Sequence, residues 1–111
     1  MAIYKLWVSY KDNFPKKARF SLASKIDLLF LEIVDLLFAA AYLSKLEKIP
    51  YLQKAGRRID LLKFLLQISW ELKSLDNKKY ITLSHQLSEI GKMTGGWMRG
   101  IQKETPQKTG K

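Results

Sequence analysis

Residues 89–100 read EIGKMTGGWMRG, and the spacing in and around them decides the fold. Core-type residues recur at Leu83, Leu87, Ile90, Thr94, Trp97 and Ile101 in steps of 4, 3, 4, 3 and 4, the seam of an α-helix packed on a neighbour. The same helix carries Gly91, Gly95 and Gly96. Each costs about 1 kcal/mol relative to alanine in a helix interior, a cost best tolerated where another backbone comes close. Gly91 and Gly95 stand one turn apart on one face, so they and Trp97 are assigned to close packing or subunit contact.

Outward from this stretch the periodicity is helical almost everywhere. Ile3, Trp7, Tyr10 and Phe14 mark a short first helix ending near Asn13, ahead of Pro15. A second helix is expected from about Lys17 to about Lys45, with a seam at Leu22, Ile26, Leu29, Ile33, Leu36, Ala40 and Leu43. Pro50 and the turn-prone residues before it are expected to separate it from a third helix, seamed by Ala55, Ile59, Leu62 and Leu66. After a turn at Asp76-Asn77 the fourth helix is expected from about Lys79 to Lys103. The spacing predicts an all-α, antiparallel up-down four-helix bundle at 1–104, with a flexible basic tail at 105–111.

The second helix is too apolar for a monomeric bundle. Between Leu22 and Leu43, 17 of 22 residues are apolar or aromatic, whereas a surface helix needs an apolar stripe only a little over 100° wide. A second seam at Phe30, Val34 and Leu37 is therefore assigned to burial against another subunit. A membrane span is excluded, because Leu28 to Leu43 is 16 residues with two carboxylates, short of the roughly 20 apolar residues a span requires. The opening residues, MAIYKLWVSYKDNF, lack the layout of a secretion signal, and there is no cysteine. The expected location is cytoplasmic.

Catalysis finds no support. One histidine, His85, and no cysteine exclude His/Cys nucleophile pairs and multi-histidine metal sites, and no metal or other cofactor is expected. His85 is read as a helix-surface residue. Asp27, Glu32 and Asp35 lack the Glu-x-x-His motifs of a di-metal bundle and are read as ion-pair partners.

The charge is more telling. The formal net charge is +10, with an excess of +3 over residues 1–50 (8 basic, 5 acidic) and +7 over residues 51–111 (12 basic, 5 acidic). A field of this sign draws in phosphate polyanions. Lys54, Arg57, Arg58 and Lys63 on the third helix, and Lys16, Lys17 and Arg19 at the start of the second, are the candidate nucleic-acid contacts. Lys92, Arg99 and Lys103 continue the basic series along the fourth. Of Arg57 and Arg58, about 100° apart on a helix, one is expected to turn inward to Glu32 or Asp35. Trp97 and Trp70 are the aromatics considered for base stacking, with core packing favoured for Trp97 by its place on the seam.

Three stretches together, EIGKMTGGWMRG, Phe14-Pro15-Lys16-Lys17 with Arg19-Phe20, and the helix around Arg57 to Leu66, carry a family resemblance covering most of the chain. It resembles the small four-helix-bundle family of the accessory variability proteins of diversity-generating retroelements. That family also includes the proteins encoded by intervening sequences in large-subunit ribosomal RNA genes. The resemblance implies a non-enzymatic homo-oligomer, a ring of five protomers, that binds RNA or DNA and a reverse transcriptase and supports cDNA synthesis and mutagenic retrohoming. It also implies that Lys63 falls at a basic position used for such contacts. Gln67 stands where the retroelement members would carry a basic residue, which leaves an intervening-sequence protein without a polymerase partner as the alternative.

Overall fold

Pro15 makes the first boundary. Helix α1 (Ala2–Lys11) ends before it, and α2 (Lys16–Ala18) starts directly after it. Helix α2 then passes through a π-helical stretch (Arg19–Ala23) into α3 (Ser24–Ala41), making one continuous rod. The Ser24 hydroxyl donates to the Arg19 carbonyl five residues back (2.7 Å). Helices α4 (Lys45–Glu71) and α5 (Asn77–Glu104) complete the chain in this computed structural model, which describes residues 1–104. The expected tail at 105–111 lies outside the described residues.

Two boundaries differ from expectation for one reason. The rod stops at Ala41 rather than near Lys45, and Pro50 lies inside α4 rather than between helices. Ser44 and Glu47 form a capping box that starts α4 early. The Glu47 carboxylate accepts from the Ser44 hydroxyl (2.8 Å) and backbone N–H (3.2 Å). Those bonds, the hydroxyl's first, hold the Glu47 carboxyl below its usual range. Their help is present above the ordinary carboxylate pKa and is lost as pH falls through the lowered one. Pro50, in the second turn, forfeits a single backbone bond.

Neighbouring helices run antiparallel. Glu32 of α3 meets Arg58 of α4 (3.5 Å), and further along α3 the Ala40 carbonyl accepts from Lys48, earlier in α4 (2.7 Å). Trp70 stacks on Tyr80 near the α4–α5 connection, while Lys45 pairs with Glu104 at the opposite end (2.7 Å). The bundle is elongated, 54 × 21 × 21 Å. Among the described residues no helix is long and apolar enough to cross a membrane.

Helix α1 is held by one carboxylate. The Asp27 Oδ1 accepts from the Tyr4 hydroxyl (3.1 Å), the Trp7 indole N–H (3.2 Å) and Lys11 Nζ (3.4 Å). Burial first, then the bond to Asp27 and its charge, push the Tyr4 phenol above its ordinary value. Trp7, fully buried, stacks on Phe30 and meets Phe14 edge-on. Phe30 thus belongs to the protomer's own core and is not a subunit contact, which corrects the expectation from sequence: α1, not another subunit, covers the second seam at this residue. Val34 and Leu37 are half-buried.

The apolar surplus of α3 emerges elsewhere. Leu28, Leu31, Phe38 and Tyr42 are exposed along its outward face, and Leu61 and Phe64 are exposed on α4. Helix α1, of 10 residues, also spans only about 15 Å of the roughly 42 Å length of α5. Beyond its first residue a cleft of about 440 Å³ stays open, lined by Met1, Leu37, Ile90, Met93, Thr94 and Trp97. Trp97 is therefore 37% exposed, with the Lys48 ammonium 5.1 Å from its ring, although it stands on the seam of its helix.

The α4–α5 connection closes as a Schellman turn. Ser74 N–H donates to the Ser69 carbonyl (2.8 Å) and Lys73 N–H to that of Trp70 (2.9 Å), with Lys73 at φ 63° in the left-handed region. Lys73→Gly should raise stability by about 1 kcal/mol, read as a higher melting temperature. Asp27→Ala should lower it by about 2 kcal/mol, because the buried Trp7 N–H loses its acceptor. Asp27→Asn, which keeps an oxygen there, should cost about half as much in the same melts.

Candidate nucleic-acid interface

Helices α4 and α5 pack side by side, yet between their solvent-facing edges lies a groove of about 710 Å³. Small residues create it. Gly56 of α4 and Gly91 and Gly95 of α5 line it. A Cβ placed at Gly56 would meet nothing within 4 Å, and one at Gly91 would meet only the Ile59 Cγ2 at 3.6 Å. No neighbouring backbone approaches these glycines within the protomer, so the close approach expected of Gly91 and Gly95 is not made there. They form the bed of a trench.

Four cations border that trench: Arg57 and Lys63 from α4, Lys92 and Arg99 from α5. The Arg99 guanidinium folds back over Gly95, its Nη1 3.1 Å from where a Cβ would stand. Asp60 is the one carboxylate among the lining residues. Lys92 also pairs with Glu89 (3.6 Å), an exposed i, i+3 contact worth a few tenths of a kcal/mol that leaves the ammonium free to exchange partners.

The structure divides the basic residues singled out by sequence. Arg57 and Lys63 come together in the groove. Arg58 turns to α3 and pairs with Glu32, so it is the inward member of the two arginines. Arg19 is occupied by backbone: its Nε donates to the Phe14 carbonyl (3.1 Å) and its Nη2 to that of Asp12 (2.8 Å), tying the turn before α2. Lys54 is exposed on α4 but does not line the groove, and Lys16 and Lys17 are exposed at the start of α2. Lys92 and Arg99 join the site, although the sequence reading leaves them outside the candidate set. Their signal is present in the sequence, since Lys92, Gly95 and Arg99 share the face of α5 that carries the glycines.

The remaining candidates are quieter. Trp70 is engaged by Tyr80 (12° between ring planes) and donates to the Asn77 side-chain oxygen (2.6 Å). His85 is exposed. Among the described residues no group of three His, Cys, Asp or Glu side chains is placed to hold a metal ion.

A protein-family model described as bAvd-like matches residues 3–101. No curated protein and no solved structure matches the chain.

The two arginines should separate in experiment. Arg57→Ala should weaken nucleic-acid binding and reduce its log–log salt slope by about 0.7 for a single strand or about 0.9 for a duplex, with little change in the melt. Arg58→Ala breaks an exposed pair and should cost under about 1 kcal/mol of stability while leaving the slope intact. Salt titrations and melts of both variants check this.

Proposed function

Because the chain belongs to the bAvd-like family, the bacterial accessory variability determinants of diversity-generating retroelements, we propose that it works beside a reverse transcriptase as a nucleic-acid-binding scaffold. The family is an accessory, non-catalytic one. In this reading the protein holds template RNA or nascent cDNA against the polymerase and thereby supports cDNA synthesis and mutagenic retrohoming. The observation that carries the nucleic-acid part is the convergence of Arg57, Lys63, Lys92 and Arg99 on one concave surface with a single carboxylate among them. Such an array neutralises phosphates without reading bases.

Self-association is part of the proposal. Leu28, Leu31 and Phe38 of α3 and Leu61 and Phe64 of α4 are exposed, an apolar surface that a second copy would take out of water. A ring of five, the count implied by the family resemblance, would repeat each basic groove around its axis and make a belt of positive charge.

Light scattering after size exclusion should give a mass near five times the 12.9 kDa protomer. Phe38→Asp should lower that mass while leaving the helical content unchanged. Co-expressed with the reverse transcriptase of its own element, the chain should co-purify with it, and cDNA synthesis should require both proteins. Synthesis that proceeds equally without this chain would overturn the polymerase reading and leave the intervening-sequence alternative.

A further inference from the structure

We propose that the α4–α5 groove is a single-strand track: it takes one strand of nucleic acid by its phosphodiester backbone and does not admit a duplex. This rests on the nucleic-acid reading above and adds which form of nucleic acid enters the groove. From Leu52 to Lys63 the α4 edge of the groove runs about 16 Å, so the trench holds a short run of phosphates. Its two walls are adjacent packed helices, whose axes lie about 8–10 Å apart. A duplex is a convex body that would rest on the rims of such a trench. A lone strand is narrow enough to sink to the glycine bed.

The chemistry fits the same occupant. Cations line both walls, Arg57 and Lys63 on one side and Lys92 and Arg99 on the other. A strand lying between them is gripped from two sides, while a duplex on the rims would leave part of the array unused. Arg99 does not extend outward; it lies against the helix at Gly95, along the wall. Arginine there can present two parallel N–H groups to one phosphate.

Packing does not explain the glycine at position 56. A methyl group there would touch nothing within 4 Å, and alanine would favour the helix. The side chain is absent where it would fill the trench. Gly100 provides the internal comparison. It lies on α5, and a methyl group added there would also meet nothing within 4 Å, but it does not line the groove.

The test uses the full chain and fluorescence anisotropy with labelled single-stranded RNA, single-stranded DNA of the same sequence, and the corresponding duplex. Tighter binding of the single strands is expected. Gly56→Leu should weaken single-strand binding at least tenfold with an unchanged or higher melting temperature, while Gly100→Leu leaves binding as it was. The double variant Lys92→Gln/Arg99→Gln should lower the single-strand salt slope by about 1.4, two contacts at about 0.7 each, and so serves even if Gly56→Leu folds poorly. Comparing RNA with DNA identifies the source of the strand, and preference for either over duplex supports the track. Equal affinity for duplex and single strand, with neither variant altering it, would overturn the track while keeping nucleic-acid binding. So would a Gly56→Leu variant that changes the oligomer mass but not the single-strand affinity. Absence of binding to all three probes would instead overturn the nucleic-acid reading itself.

Discussion

Three donors on one oxygen of Asp27 hold α1 against the bundle, and much of the remaining surface follows from that attachment. The bond from the buried Trp7 N–H to the charged carboxylate contributes about 1.5–3 kcal/mol, against about 0–1 kcal/mol for an exposed ion pair such as Arg58–Glu32. The Asp27 node therefore outweighs the surface pairs in placing a helix. It sets Trp7 against Phe30 and Phe14 and completes a four-helix core along the stretch that α1 covers. Beyond the first residue of α1 the core shrinks to the smaller cluster of Ala40, Leu52 and Ile101, and the apolar cleft at Trp97 opens beside it.

The short first helix leaves part of the apolar surface of α3 uncovered. Covering Phe30 uses one face of α3, yet Leu28, Leu31, Phe38 and Tyr42 remain in water on another. Burial of large apolar side chains contributes roughly 1.5–3 kcal/mol apiece, so an uncovered row of this kind is a standing drive toward association. The basic groove is lined by residues of α4 and α5, and none of its lining residues comes from α3. One protomer can thus offer an apolar face to another copy and a charged trench to a polyanion at the same time.

The groove also gives a reason for helix-weakening residues in two long helices. Gly56, Gly91 and Gly95 each give up helix propensity, and within the protomer they gain no close backbone contact in exchange. What Gly56 and Gly91 provide is an open bed between cations, and Gly95 leaves room for the Arg99 guanidinium to lie along the wall. The same choice of residues would have suited a tight helix crossing, and only the positions of Ile59 and Arg99 relative to them distinguish the two cases.

Periodicity alone determined the four helices, the line Ala55, Ile59, Leu62 and Leu66 that is buried, and the excess of apolar residues on the second helix, because helical spacing is a local property that the chain writes directly. The net charge and the family resemblance likewise needed no coordinates, and the family match bears the resemblance out. Helix ends were legible only in part. Pro50 read as a break because its missing N–H is a local fact, while the capping box six residues earlier outweighed it. Tertiary structure alone decided which apolar seam α1 covers, that Arg58 and Arg19 are occupied by Glu32 and by backbone carbonyls, and that Lys92 and Arg99 face Arg57 and Lys63 across a glycine bed. Those pairings join residues 7 and 30, 32 and 58, or 57 and 99. No local pattern encodes such meetings, because they depend on how far each helix runs and on which neighbour it packs against.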